Sequence, residues 1–365
     1  MTRLIAPHIL ALHAYEPGKP EEELRRELGI DDVVKLASNE NAYGPTPRVA
    51  EALASTDWNL HRYPDPRGHD LRQALSAHHG VAPDEIALGN GSNELIDLLC
   101  RVCAARGEHV VFGHPSFPCY RIGAVAQELT PTAVSLRDDL EWSVEDLVGA
   151  VRDDTRLLFV ASPNNPTGSY LNRVALEQLL TQVPSDVLVV VDEAYFEYAD
   201  ASDYVPATEL RRLRSRLIVL RTFSKAYGLA ALRVGYALAE PELVHTINRL
   251  RAPFNVGTIG QRLACVALED QAHVQEAVAA TVHGRQELRS ALLERGLRVP
   301  ESQANFLLVY TPTQGRAVYE ALLSEGVIVR PMAPPLTSAI RVTVGRPSEN
   351  ARFLEALDRV LERAR

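Results

Sequence analysis

Leu217-Ile218-Val219-Leu220-Arg221-Thr222-Phe223-Ser224-Lys225-Ala226-Tyr227-Gly228 joins an apolar run to a turn that carries a single lysine. The first four residues have the length and β-branching of a buried strand. The run ends in hydroxyls and Lys225, and Arg233 follows eight residues later. A lysine so placed can form an imine with an aldehyde cofactor while its neighbours bind a phosphate. An isolated Ser-Lys pair is more often a surface loop, because lysine is rarely buried. The other strand ends decide between these readings.

Upstream, apolar runs recur at 86–88, 110–112, 157–160 and 187–191, with helical patterns at 145–151 and 173–181 between them. Near-continuous apolar strands alternating with helices predict an α/β fold whose central sheet is mainly parallel and covered by helices on both faces. Ligands of such sheets lie outside the carboxyl ends of the strands. There the first run enters Gly89-Asn90-Gly91-Ser92-Asn93, with a helix from about Ser92 whose N–H groups favour phosphate. The second leads to Pro115-Ser116-Phe117-Pro118-Cys119-Tyr120, the third to Ser162-Pro163-Asn164-Asn165-Pro166-Thr167-Gly168, and the fourth to Asp192-Glu193-Ala194-Tyr195. One rim thus gathers a helix N-terminus, an aromatic face, an Asn, an Asp, a Tyr and a Lys.

The flanks read differently. Polar, proline-punctuated residues 1–38 form an N-terminal arm with a charged helix at 21–28 and a short strand at 33–36. Residues 39–250 form the large domain. A break at Arg251-Ala252-Pro253-Phe254-Asn255 precedes one long helical region, about 258–296. Strands at 306–309, 327–329 and 340–344 and a helix at 348–363 then make a smaller α+β domain, so the second domain spans 251–365.

A chain of 365 residues exceeds what one core usually serves, in keeping with two domains. Its 46% hydrophobic and 23% charged content is that of a soluble globular protein. A net charge of −9 argues against nucleic acid and membrane surfaces as partners, though not against small anions held by local arginines. The chain has no apolar stretch of transmembrane length and no basic-then-apolar leader, so a cytoplasmic location is expected. Of four cysteines, Cys100 and Cys103 form a C-x-x-C inside a helical pattern. No second pair completes a zinc set, and buried helical thiols with no metal are expected.

Pyridoxal phosphate bound at Lys225 accounts for the whole rim. Its pyridine nitrogen needs a carboxylate, which Asp192 supplies at the tip of a buried strand. Its phenolic oxygen needs donors, Asn165 and Tyr195, and its ring an aromatic face, Phe117. Its phosphate needs N–H groups, hydroxyls and a cation: Ser92, Asn93, Thr222, Ser224 and Arg233. Singly, such residues more often pack or cap.

Ser-Pro-Asn-Asn-Pro-Thr-Gly at 162–168, Val-Asp-Glu-Ala-Tyr at 191–195 and Arg-Thr-Phe-Ser-Lys-Ala-Tyr-Gly-Leu-Ala at 221–230 resemble the fold-type I, class II aminotransferases. Further stretches are similar to the pattern of the histidinol-phosphate aminotransferases. They are Tyr-Glu-Pro-Gly-Lys-Pro at 15–20, Lys-Leu-Ala-Ser-Asn-Glu-Asn at 35–41, Arg-Tyr-Pro-Asp at 62–65, Gly-Asn-Gly-Ser-Asn-Glu-Leu at 89–95, Ala-Asn-Phe at 304–306 and Arg-Val-Thr-Val-Gly at 341–345. The resemblance covers essentially the whole chain. It implies a ping-pong aminotransferase of histidine biosynthesis, with catalytic Lys225, Asp192 and Tyr195, acting on histidinol phosphate and glutamate/2-oxoglutarate. It also implies a homodimer in which Tyr63 reaches the neighbour's cofactor phosphate. Arg341 would bind the amino acid's carboxylate and Arg330 the second anionic group, with Asn165 and Tyr63 also at the substrate. The sequence departs from the pattern at Ala42, where proline is usual, and at Phe117 and Phe254, where tyrosine is common. Relatives with these motifs include aromatic amino-acid aminotransferases, and a threonine-phosphate decarboxylase is built on a similar scaffold. A pyridoxal-phosphate-binding regulator would need a DNA-binding segment, for which the short arm has no room.

Overall fold

The computed structural model describes residues 4–12, 18–55 and 57–363. Tyr15, Glu16 and Pro17 of the arm motif lie outside the described residues.

Seven strands form the central sheet: β1 (Ile86–Asn90), β2 (His109–His114), β3 (Thr130–Ser135), β4 (Thr155–Ala161), β5 (Leu188–Asp192), β6 (Leu217–Thr222) and β7 (Val234–Leu238). Their order is β1-β7-β6-β5-β4-β2-β3. All neighbours are parallel except β7, which runs antiparallel to both β6 and β1. The expected mainly parallel sheet is therefore present. Its strands read as unbroken apolar runs because alternate side chains enter two separate cores. Leu158, Val160, Val189, Val191 and Val219 lie in one, while Leu157, Phe159, Leu188, Val190 and Ile218 lie in the other.

Edge strand β3 was not anticipated from its residues. Thr130-Pro131-Thr132 is polar and at most partly buried, and proline is tolerated only at such an edge. The expected single helix after the break is two, α1 (Thr258–Glu269) and α2 (Gln271–Glu294). Asp270 divides them, and its side chain caps α2 by accepting from the His273 N–H.

Three further strands, β8 (Phe306–Tyr310), β9 (Arg330–Pro331) and β10 (Ala339–Thr343), make an antiparallel sheet in the order β9-β10-β8. Its core includes Leu307, Val309, Val342 and Phe353. The N-terminal segment is stitched to this part: Val34–Lys35 pairs in parallel with Val327–Ile328, and Leu36 enters the same core.

The register explains the site. Asp192 closes β5 opposite Ala161 of β4 and Leu220 of β6, while Thr222 faces Gly235 and Asn90 faces Val234. The carboxyl ends of β1, β4, β5 and β6 and the amino end of β7 consequently meet on one rim.

Candidate active site

A cavity of about 360 Å³ opens on that rim. Lys225, Asp192, Tyr195, Ser92, Asn93, Phe117, Asn165, Thr222, Ser224, Arg233 and Arg341 all line it. Arg330 lines a second cavity of about 320 Å³, which shares Phe117, Asn165 and Arg341 with the first. Tyr63 lies apart from both, 81% exposed, with its ring stacked on Phe254 at 4.4 Å.

Lys225 leaves β6 on a turn that Gly228 lets close. Gly228 has a positive φ of 68°, and a Cβ there would strike the backbone of Gly44 and Pro45. Asn41 Nδ2 donates to the Ala226 carbonyl at 2.8 Å, so the loop from Ser38 clamps the turn from outside. The Lys225 ammonium donates to the Ser38 carbonyl at 3.1 Å and stands 5.6 Å from the Tyr195 ring centre. Burial, with Arg341 and Arg233 nearby, pulls its pKa down to about 7, against the opposing pull of Glu40 and Asp192.

Asp192 is 5% exposed. Tyr120 Oη donates to its Oδ2 at 2.7 Å and the Ala194 N–H to its Oδ1 at 3.2 Å. Burial nevertheless pushes its pKa up to about 6. Among the described residues no cationic side chain bonds this carboxylate. A buried acid facing a cavity without a bonded cation suits a ligand that brings a protonated nitrogen.

At the opposite end the backbone itself is shaped for an anion. Helix α3 of the large sheet's rim side (Gly91–Cys103) begins directly after β1, and its N-cap residue, Asn90, makes no side-chain cap hydrogen bond among the described residues. A Cβ on Gly91 would collide with the Arg233 guanidinium, and one on Gly235 with the Ser92 nitrogen. Arg233, itself at φ 54°, donates to Ser224 Oγ at 3.2 Å, and Thr222 Oγ1 accepts from the Ser224 N–H. Uncapped N–H groups, two hydroxyls and a guanidinium converge, as phosphate binding requires. Cys100 and Cys103 sit on this helix, as the pattern predicts, and burial raises both thiols to about 12.

Arg341, on β10, donates to Asn165 Oδ1 at 2.5 Å and to the Ala37 carbonyl at 2.7 Å. It stands 5.3 Å from the Phe306 ring centre. Arg330 is its register partner on β9.

Three contributors escaped the reading of the motifs. Tyr120, the last residue of the Pro115–Tyr120 stretch, belongs to a helix, Cys119–Ala126, and stacks on Phe159. Asn39, in the Lys-Leu-Ala-Ser-Asn-Glu-Asn stretch, donates to Tyr195 Oη at 3.0 Å and exchanges hydrogen bonds with Thr343. Arg221 donates through Nε and Nη2 to Glu193 Oε2 at 3.0 and 2.7 Å. This ion pair ties the ends of β5 and β6 behind the cavity. Only the adjacency of Arg221 and Glu193 to the key motifs hinted at it.

Residues 31–357 match the family "Aminotransferase class I and II". The chain is 43% identical over 360 residues to the histidinol-phosphate aminotransferase of Anaeromyxobacter sp. (strain Fw109-5), covering 98% of this chain and 99% of the relative. It is 41% identical over 359 residues to that of Geobacillus sp. (strain WCH70), covering 98% of each. Its fold is similar to that of the histidinol-phosphate aminotransferase from Sinorhizobium meliloti in complex with pyridoxal-5'-phosphate. The TM-score is 0.90 at 30% identity, over 99% of this chain and 98% of that one.

Proposed function

The chain belongs to the class I and II aminotransferases, and from that premise we propose that it transfers an amino group between histidinol phosphate and 2-oxoglutarate/glutamate. It is a pyridoxal-phosphate-dependent enzyme of histidine biosynthesis. The observation that carries the assignment to this cavity is the pairing of a weakly basic lysine with a buried carboxylate that, among the described residues, no cation bonds. When bound, the cofactor supplies an aldehyde for the amine and an electron-accepting ring.

In this reading Lys225 Nζ holds the cofactor and later carries the proton at the substrate's α-carbon, a task suited to an amine titrating near neutrality. Asp192 holds the pyridine nitrogen protonated, with Tyr120 fixing the carboxylate. Asn165 and Tyr195 donate toward the phenolic oxygen, and Asn39 orients Tyr195. Phe117 covers one ring face. Ser92, Asn93, Thr222, Ser224 and Arg233 hold the phosphate. Arg341 binds the α-carboxylate of glutamate and Arg330 the distal anion, phosphate or γ-carboxylate, because guanidinium groups pair with both. The two substrates occupy the site in succession, so each needs only its own anchors.

We also propose that the enzyme is a cytoplasmic homodimer. Tyr63 supports this, being exposed and held on Phe254 away from its own chain's cavity, as a residue that serves a partner's phosphate would be. Four free thiols accord with a reducing compartment. Among the described residues no helix is long and apolar enough to cross a membrane. The domain reading is an N-terminal arm to 38, a large domain 39–250 and a small domain 251–365; separate cores under the two sheets support two domains, while Leu263, Ala264, Ala267 and Leu268 of α1 pack in the core of the large one and Leu36 in that of the small one.

Borohydride reduction of the purified holoenzyme followed by peptide mapping should place the label on Lys225. Steady-state rates with histidinol phosphate, phenylalanine and threonine phosphate should favour the first. Label on another lysine, or a preference for phenylalanine, overturns the corresponding part of the reading.

A further inference from the structure

The second cavity opens away from Lys225, beyond Arg341, and among the described residues no Asp or Glu lines it. Its outer wall brings Arg316 and Tyr319 of the helix Gly315–Ser324 alongside Arg330 of β9, with Met332 and Leu336 as an apolar flank. The position of this helix is fixed at its start. Gly315 N–H donates to the Thr337 carbonyl at 2.8 Å, and a Cβ on Gly315 would strike the backbone of Ala339. The first turn therefore lies directly on the entry to β10. Arg316 and Tyr319, three apart, share one helix face, with the guanidinium 5.9 Å from the ring centre.

The charges around Tyr319 show how this wall is organised. Lys19, Arg316 and Arg330 each favour its ionised form against the effect of burial, while Glu23 opposes them. Lys19 is balanced already, by Glu27 at 2.6 Å and Glu23 at 3.4 Å. Arg316 is held more loosely. Its Nε donates to Glu320 at 3.2 Å in an i,i+4 pair whose side chains are 65% and 63% exposed. Such pairs contribute little, so an incoming anion displaces Glu320 at small cost. Neither terminal amino group of Arg316 makes a hydrogen bond among the described residues.

We propose that Arg316 is a specificity-determining residue, forming with Arg330 and the Tyr319 hydroxyl a subsite for a phosphate monoester dianion at the mouth of the active site. The proposal rests on the reading of histidinol phosphate as substrate. One guanidinium satisfies a carboxylate through paired hydrogen bonds. A phosphate monoester has three terminal oxygens and nearly two charges at neutral pH, which call for a second cation and a further donor. Arg341, engaged with Asn165 and Ala37 at the inner end, lies on the cofactor side of this cavity. Met332 and Leu336 give the same cavity an apolar flank, suited to the other branch of the amine, a flat, weakly polar ring. Arg316 thus separates phosphate-bearing amines from dicarboxylic amino acids, which end at Arg330.

The test uses the holoenzyme and two variants, Arg316→Gln and Arg316→Lys, checked for unchanged melting temperature. Each half-reaction is followed separately by stopped-flow absorbance, and inorganic phosphate is titrated as a competitor of the glutamate half-reaction. Losing one charge-assisted bond should raise the half-saturating histidinol phosphate concentration about tenfold in Arg316→Gln. Glutamate should be affected by a smaller factor, inhibition by inorganic phosphate should weaken, and Arg316→Lys should recover part of the loss. Equal effects on both substrates, or no effect on histidinol phosphate and phosphate inhibition, overturn the proposal. If the unaltered enzyme fails to use histidinol phosphate while Arg316→Gln still weakens phosphate inhibition, the substrate reading fails and the anion subsite stands.

Discussion

Breaking the buried Arg221–Glu193 pair should be among the most damaging single changes available outside the cavity. The side chains are 4% and 1% exposed. Arg221 donates twice to Glu193 Oε2 and lies 3.7 Å from the Phe196 ring centre. Glu193 Oε1 accepts from the Ala207 N–H at 2.5 Å. Glu193→Gln leaves this guanidinium buried without its counter-charge, and Arg221→Met leaves the carboxylate so. Removing one partner of a buried pair costs about 3–5 kcal/mol. That is a large fraction of the roughly 5–15 kcal/mol by which domains are stable. The double change Glu193→Gln/Arg221→Met leaves no orphan charge and should cost at least about 1 kcal/mol less than the sum of the singles. Guanidinium chloride unfolding of the cofactor-free protein, compared by midpoint at equal slope, measures this. Single variants each within about 1 kcal/mol of the parent, or strict additivity, would refute the reasoning.

Other expectations follow from the titrating groups. Glu197 Oε2 is enclosed with no hydrogen-bond partner among the described residues, and burial raises the carboxyl to about 8 from an ordinary 4.5. The folded state then binds the extra proton between those values, so its contribution is fully present below about 4.5 and is lost as pH rises through 8. Melting temperatures from pH 5 to 8.5 should fall less steeply in Glu197→Gln than in the parent; parallel curves would exclude this role. Capture of pyridoxal phosphate by the cofactor-free protein needs the neutral Lys225 amine, so its rate should rise with pH around a midpoint near 7. Arg341→Ala should move that midpoint upward, because Arg341 is the largest charge contribution lowering it; an unmoved midpoint would contradict the geometry. Asp192→Asn should retain cofactor yet lose roughly 3 kcal/mol or more of transition-state stabilisation, read as single-turnover rate.

What could be read from the chain alone follows from where its signals are local. A strand buried on both faces announces itself as a short apolar run, and the loop at its carboxyl end is then adjacent in sequence. Lys225, Asp192, Asn165 and the Gly91 turn were legible for that reason. Strand β3 was not, because an edge strand needs only modest apolar character and Thr130-Pro131-Thr132 has the composition of a loop. The helix at Cys119–Ala126 was hidden by its length and by the prolines before it. Asn39 and Tyr120 act only through tertiary contacts: one crosses to Tyr195 and Thr343, the other rises beneath Asp192. No periodicity reports such meetings.

Those tertiary contacts converge on the segment from Ala37 to Pro45, which binds the two sheets to each other. On one side it holds the lysine turn, through the Ser38 carbonyl on Lys225 Nζ and Asn41 Nδ2 on Ala226. On the other it holds β10 and its surroundings: Ala37 accepts from Arg341, Asn39 bonds Thr343, and Ala42 accepts from Arg346. Asn305 Nδ2 donates to the Asn39 carbonyl from the start of β8. A displacement of the C-terminal sheet is therefore felt at Ser38, the group that holds the Lys225 ammonium, and at Arg341, which lowers its basicity. An anion that draws Arg341 from Asn165 also neutralises the charge acting on Lys225. In the proposed reading, a carboxylate held by Arg341 and the Lys225 amine are thus coupled through one short segment, and the basicity of Lys225 answers to the charge that Arg341 keeps.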